Sequence, residues 1–321
     1  MKRAGIIVSV AAALSLVLYG ASLAGDTGRG GYAGSFLRMG LGARALGMGG
    51  GSAVFLGDAS VSFYNPAGLV FLQKRYASAS ISSMSLDRSL NFIGYGQSVA
   101  PKGGSRAGVG VGWIGAGVSG IDGRDFNGNH TETYSSSENC FYLAFAHAIT
   151  PRIAVGLSTK ILYYALPRMA DSGTVSAKGV GFDIGVIAAP VTNMLVGITV
   201  KDLHSRYTWN TQSLWDKGTQ KTDMFPVSFN AGGAVTLLDQ LVTVHVNYEK
   251  IDYIPGTVSA GAELLPADVF ALRAGLYRGG LCFGTGVFWK KGSIQMVFDY
   301  AYVAEAVGPA NTHVLSGTLM F

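Results

Sequence analysis

From Tyr76 onward, apolar and polar residues alternate with a period of two, in segments of about ten residues separated by turn signals. In the segment from Arg152, Ile153, Val155, Leu157, Ile161 and Tyr163 share one face, and Arg152, Ala154, Ser158 and Lys160 share the other. In Gln240–Lys250, Val242, Val244, Val246 and Tyr248 oppose Thr243, His245, Asn247 and Glu249. In Ser293–Val303, Ile294, Met296, Phe298, Tyr300 and Tyr302 oppose Gln295 and Asp299. Fourteen such segments can be drawn: Tyr76–Met84, Ser89–Ala100, Arg106–Ala116, Glu138–Ile149, Arg152–Ala165, Lys178–Ala189, Met194–Asp202, Phe225–Leu237, Gln240–Lys250, Gly256–Leu265, Asp268–Tyr277, Gly280–Lys290, Ser293–Val303 and Thr312–Phe321. The first two alternate too weakly for their faces to be assigned.

An even strand number suits a single-chain transmembrane β-barrel, and the connections agree. Every second one is tight: Lys102–Ser105, Thr150-Pro151, Pro190–Asn193, Leu238-Asp239, Pro266-Ala267 and Lys291-Gly292. The intervening ones include all the long ones, Gly117–Ser137, Leu166–Ala177 and Leu203–Met224. Short periplasmic turns and longer outer loops are the asymmetry of this barrel class. In this register both chain ends fall on the periplasmic side.

The last segment carries Leu315, Leu319 and Phe321 on one face and Ser316 and Thr318 on the other. An apolar stripe reaching Phe321 fits a closing strand with one face in lipid, and Phe321 is the expected signal to the barrel-assembly machinery. At the other end, Met1-Lys2-Arg3, the apolar run Ile6–Leu18 and Ala21-Ser-Leu-Ala24 predict a secretory signal peptide over residues 1–24, cleaved after Ala24.

Composition sharpens the class. Hydrophobic residues make up 49% and charged residues 13%, and the mean hydropathy is +0.32. After residue 24 no apolar stretch approaches the roughly 20 residues of a membrane helix, so the apolar residues are dispersed at short period. The net charge of +5 is spread out, with no basic block interleaved with aromatics, which excludes nucleic acid as a partner class. Cys140 and Cys282 show no metal-ligand spacing; exported chains can pair such cysteines, and two unpaired thiols within strands fit equally well. Gly115-Ala-Gly-Val-Ser-Gly120 lacks the helix and βαβ frame of a dinucleotide site, and there is no nucleophile elbow. The expectation is a non-enzyme with no cofactor and no metal.

Lipid outside and a polar lumen inside send the strand charges inward: Lys160, Asp183, Lys201, Glu249, Glu263, Arg273 and Asp299. Signs oppose on neighbouring strands, in Lys160, Asp183, Lys201 and again in Glu263, Arg273, as a narrow lumen requires when unpaired buried charge is costly. In Arg106–Ala116, Gly108, Gly110 and Gly112 share one face opposite Val109, Val111 and Trp113. Glycines there leave room for a plug or for a passing ligand, and mark a possible lateral opening.

Residues 25–75 do not read as strands; Gly34–Ala45 and Ala67–Leu72 are candidate short helices. Such a segment ahead of a barrel has the lumen as its natural place, where Arg38 and Arg44 would meet the inward carboxylates. Its sequence, Phe36-Leu-Arg-Met-Gly-Leu-Gly-Ala-Arg-Ala-Leu-Gly-Met-Gly-Gly50, then Gly57-Asp-Ala-Ser60, then Phe63-Tyr-Asn-Pro-Ala-Gly-Leu69, resembles the PorV/PorQ family within the FadL-like outer-membrane proteins. A single Asp58 stands where that pattern often has two acidic residues. The resemblance implies a fourteen-stranded barrel with an N-terminal hatch (25–75) ahead of the barrel proper (76–321). It implies that Asn65, Pro66 and Ala67 belong to a hatch motif used in ligand passage, and that the third strand carries the opening. A bare structural role for the motif is equally consistent: Asn65 caps a turn, Pro66 begins a short helix and Gly68 permits close packing.

The overall expectation is all-β: a monomeric, plugged transmembrane antiparallel barrel in the outer membrane of a diderm bacterium, surrounded by outer-membrane lipid. Two functions follow. The first is a conduit for hydrophobic small molecules, favoured by short loops; the second is a type IX secretion component that binds secreted-protein cargo, favoured by the motif.

Overall fold

The computed structural model describes residues 31–102, 104–166, 174–210, 218–267, 269–304 and 311–321. The signal-peptide reading and part of the 166–177 connection fall outside them. The barrel strands are β1 (Tyr76–Met84), β2 (Arg88–Val99), β3 (Ala107–Arg124), β4 (His130–Thr150), β5 (Ile153–Ala165), β6 (Ser176–Val191) and β7 (Met194–Leu203). After the hairpin β8 (Arg206–Asn210) and β9 (Gln220–Met224) come β10 (Ser228–Leu237), β11 (Val242–Ile251), β12 (Ile254–Ala267), β13 (Phe270–Tyr277), β14 (Gly280–Lys291), β15 (Ile294–Val303) and β16 (Thr312–Met320).

All sixteen strands lie in one antiparallel sheet; β8 and β9 form an appended hairpin on β6, and the other fourteen close into a cylinder. Closure is made by β1 on β16, from Tyr76↔Met320 to Ser83↔His313. It leaves no unpaired edge in the hydrocarbon, where an unsatisfied backbone group costs several kcal/mol. One further rung joins Arg75 and Phe321, each amide donating to the other's carbonyl at 3.1 Å. Deleting Phe321 removes that rung and a lipid-facing ring; the amount of heat-resistant barrel in the outer membrane is expected to fall, as read by migration on a gel before and after boiling.

The alternation sorts as read from sequence. Ile153, Leu157, Ile161, Val246, Tyr248, Phe298 and Leu315 are exposed on the outer wall, while Ala154, Ser158, Lys160, His245, Asn247, Asp299, Ser316 and Thr318 are buried within. A continuous apolar outer belt on a closed barrel with a polar interior is an outer-membrane architecture. β1 also has a definite orientation: Ser78, Ser80 and Ser82 face in and Ile81 faces out. Its alternation of Ala with Ser carries almost no hydropathy contrast, which hides its faces from the sequence.

The long connections differ from the expectation of loops. β3 spans 18 residues and β4 spans 21, about ten more than a tilted strand needs to cross. They continue past the belt as a paired arm, with Ile121↔Tyr134 and Arg124↔His130. Much of Leu203–Met224 is likewise the β8–β9 hairpin. Both cysteines are buried and unpaired.

Residues 32–75 thread the lumen from end to end. The Tyr32 ring stacks on Tyr253 of the β11–β12 turn, with centroids 6.1 Å apart, whereas Arg75 pairs with Phe321 at the opposite rim. The two ends of the barrel, Arg75 and Phe321, therefore share one rim, and Tyr32 lies at the other. The segment forms four helical turns, Ser35–Arg38, Ala43–Gly47, Val61–Tyr64 and Pro66–Phe71. The continuous helix read over Gly34–Ala45 is interrupted because Gly40 and Gly42 take positive φ, +84° and +80°. L-residues avoid that region, and a helix cannot run through it.

Candidate functional site

The hatch docks on the wall through glycines. A Cβ at Gly156 of β5 would collide with the Pro66–Ala67 backbone, and one at Gly185 of β6 with the Asn65 side chain. On the opposite wall, Gly261 of β12 and Gly275 of β13 receive the Met48 carbonyl, to which His245 Nε2 also donates at 2.7 Å. That contact fixes the proton of His245 on Nε2. Removing side chains where two backbones must meet accounts for much of the strand glycine.

Asn65 is fully buried. Its Oδ1 accepts from Ala67 N at 3.1 Å, and its Nδ2 donates to the carbonyls of Ala53 at 2.7 Å, Val186 at 3.2 Å and Ile198 at 3.3 Å. One side chain thus caps the Pro66–Phe71 turn and ties the hatch to β6 and β7. Pro66 takes the first helical position, where its missing N–H costs nothing. Nearby, Asp58 accepts from Ser60 N at 2.7 Å; burial holds its carboxyl above the usual carboxylate range.

Arg44 and Arg38 differ from each other. Arg44 grips Glu263 with two hydrogen bonds, Nε to Oε2 at 2.9 Å and Nη2 to Oε1 at 2.7 Å, and donates to the Gly57 carbonyl at 3.1 Å. Glu263 also accepts from Arg273 Nε at 2.6 Å, and Arg273 Nη1 reaches Asp299 at 2.8 Å. The last contact passes over Gly286 of β14, whose missing side chain leaves the path open. This four-residue network joins the N-terminal segment to the wall. The expectation that Arg38 meets a carboxylate does not hold among the described residues: it donates to the carbonyls of Ala33 at 3.0 Å and Tyr32 at 3.2 Å. Gly34, at φ +67°, turns the chain so that these carbonyls face its guanidinium.

The second charged group also needs a correction. Lys160 binds Asp183 at 2.7 Å as the alternating signs require, but its other partner is Asp202, also at 2.7 Å, rather than a row continuing to Lys201. The β6–β7 register shifts between Phe182↔Leu203 and Ile184↔Val200, a bulge that sets Lys201 and Asp202 together against Asp183. Both side chains then turn inward, and the Asp202 amide donates to Asp183 at 2.8 Å. Strict alternation would have sent Asp202 into lipid. Lys201 instead stands over the Phe63 ring, 3.5 Å from its centroid. Glu249 lies 3.6 Å from Arg278, a residue absent from the sequence-level set because it sits in a turn.

The lumen is therefore two-sided. Leu90 and Phe92 of β2, Ile114 of β3, Cys140 and Tyr142 of β4 and Leu162 of β5 form an apolar wall against Phe36, Leu37 and Leu41. The charged groups line the rest of the lumen and begin on β5 itself, where Lys160 is two residues from Leu162. Gly108 and Gly110 belong to the apolar side: Gly108 backs Leu69, and a Cβ at Gly110 would lie 3.0 Å from Ser62 Cβ and 3.1 Å from Leu69 Cδ2. Gly112 instead makes room for the Tyr142 ring. Across these glycines β3 pairs without interruption with β2 and β4, so the wall is closed there and the hatch packs against it.

No protein-family model matches the chain, and no curated protein does. Solved structures match its fold. The Pseudomonas putida toluene transporter TodX superposes with TM-score 0.61 at 15% identity, over 88% of this chain and 99% of that one. The CymD monoaromatic hydrocarbon channel gives 0.58 at 15% identity, over 88% and 96%. A Pseudomonas aeruginosa FadL homologue gives 0.57 at 11% identity, over 85% and 96%.

Proposed function

We propose that the chain is an outer-membrane conduit for small apolar molecules, of the size of a single aromatic ring, with the hatch as its gate. The observation that carries this reading is the seat of Leu69 on Gly108 and Gly110. There the apolar side of the lumen meets a stretch of wall with no side chains of its own, and the covering residue belongs to the Asn65-Pro66-Ala67 turn. A shift of that turn would uncover a strand that bends easily, so a solute could leave sideways into lipid without crossing the charged half. The fold likeness to channels described as carrying toluene and monoaromatic hydrocarbons supports the solute class. Outer-membrane lipid is then both surroundings and destination.

The finer PorV/PorQ identity and the binding of type IX secretion cargo rest on the motif of residues 36–69 alone. The β3–β4 arm does supply outer surface that short loops would not.

Gly110→Leu tests the proposal. It crowds Ser62 and Leu69 and puts a side chain into the route itself, and uptake of toluene by intact cells is expected to drop to the rate of cells lacking the protein, at equal amounts of heat-resistant barrel. Undiminished uptake by that variant would place the route elsewhere.

A further inference from the structure

On the charged side of the lumen lies a small cavity of about 40 Å³, lined by Arg38, Lys201, Asn230, Asn247, Glu249 and Arg278 among others. Three cations there face one carboxylate. Lys201 is 8% exposed, and its ammonium makes no hydrogen bond or ion pair among the described residues; only the rings of Phe63, at 3.5 Å, and Tyr64, at 6.0 Å, attend it. Arg278 Nε is buried without a partner, although its Nη2 donates to the Arg38 carbonyl and lies 3.6 Å from Glu249. Arg38 gives two of its N–H groups to neutral carbonyls. The neighbouring Asp183 and Asp202 both bind Lys160, and the one negative charge left over in that trio acts on Lys201 without a hydrogen bond to its ammonium.

A buried ammonium with no acceptor is costly, and the cavity is where an acceptor would sit. The volume holds about three waters, or one anion of three heavy atoms, and not an aromatic ring. Arg278 and Glu249 keep 20% of their side-chain surface exposed, so solvent reaches the edge of the site.

We infer that this cavity is a binding site for a small carboxylate, held by Lys201 and Arg278, where the charged strands meet the apolar cluster at Leu37 and Phe63. The two sides of the lumen then serve two ligand classes: apolar solute along β2–β5, and a hydrophilic anion against β7, β10 and β11.

The test uses the full barrel in detergent at constant ionic strength, with chloride exchanged for sodium formate and the unfolding temperature followed. The wild type is expected to gain stability with formate in a saturable way. Lys201→Met is expected to fold, since no hydrogen bond of the ammonium is lost, and to weaken the apparent formate affinity by about tenfold or more; Lys201→Arg keeps it. Two results would overturn the site: a wild type indifferent to formate, meaning the cavity holds water only, or a Lys201→Met variant that responds as the wild type does. Toluene uptake by Lys201→Met reports separately on the conduit and is expected to be unchanged.

Discussion

Replacing Lys160 with methionine is expected to cost about 3–5 kcal/mol of barrel stability, because two buried carboxylates lose the ammonium that binds both at 2.7 Å. All three side chains are 1% exposed, so water does little to screen the loss. The account makes a more specific demand on the combinations. Lys160→Met with Asp183→Asn should recover part of the loss, and adding Asp202→Asn should recover more, since none of the group's own three charges then remains. Urea unfolding in lipid vesicles, read by tryptophan fluorescence, gives the ranking. Costs that simply add would mean the three groups do not interact, and a double variant equal to the triple would remove Asp202 from the group.

The second large effect concerns the hatch. Gly261→Leu puts a side chain where the Met48 carbonyl docks, and the hatch must leave that wall or the strand must deform. Overpacking of this kind costs about 1–3 kcal/mol, which corresponds to roughly 5- to 150-fold in the ratio of closed to open hatch. The expected result is a barrel that assembles normally and leaks, seen as raised ion conductance in a planar bilayer. Gly317→Leu is the matched control, because a Cβ there meets nothing within 4 Å. Equal conductance of the two variants would show that the Met48 contact does not hold the lumen shut.

The barrel was legible in the sequence for a simple reason: lipid and lumen impose opposite polarity on alternate residues, and most strands are long enough to show it. β1 escaped orientation because alanine and serine differ too little. Asp202 escaped because a bulge inserts one residue, and a parity argument cannot see an insertion that is stabilised by side chains two strands away. The hatch motif was legible as residues, but not the direction of each arginine. Arg44 and Arg38 sit in similar glycine-rich surroundings, and only the path of the chain, turned by Gly34, decides that one meets Glu263 and the other meets carbonyls. Similarly, Gly108, Gly110 and Gly112 read as one inward row, yet they serve two different contacts, Leu69 with Ser62 and Tyr142.

Uptake of radiolabelled toluene by intact cells, with and without the unaltered protein, measures the central claim most directly, with a disaccharide as the hydrophilic comparison. The account predicts faster toluene entry in cells carrying the barrel and no change in disaccharide entry. Toluene uptake that is the same with and without the protein, while the barrel is shown to be assembled in the outer membrane, would contradict it.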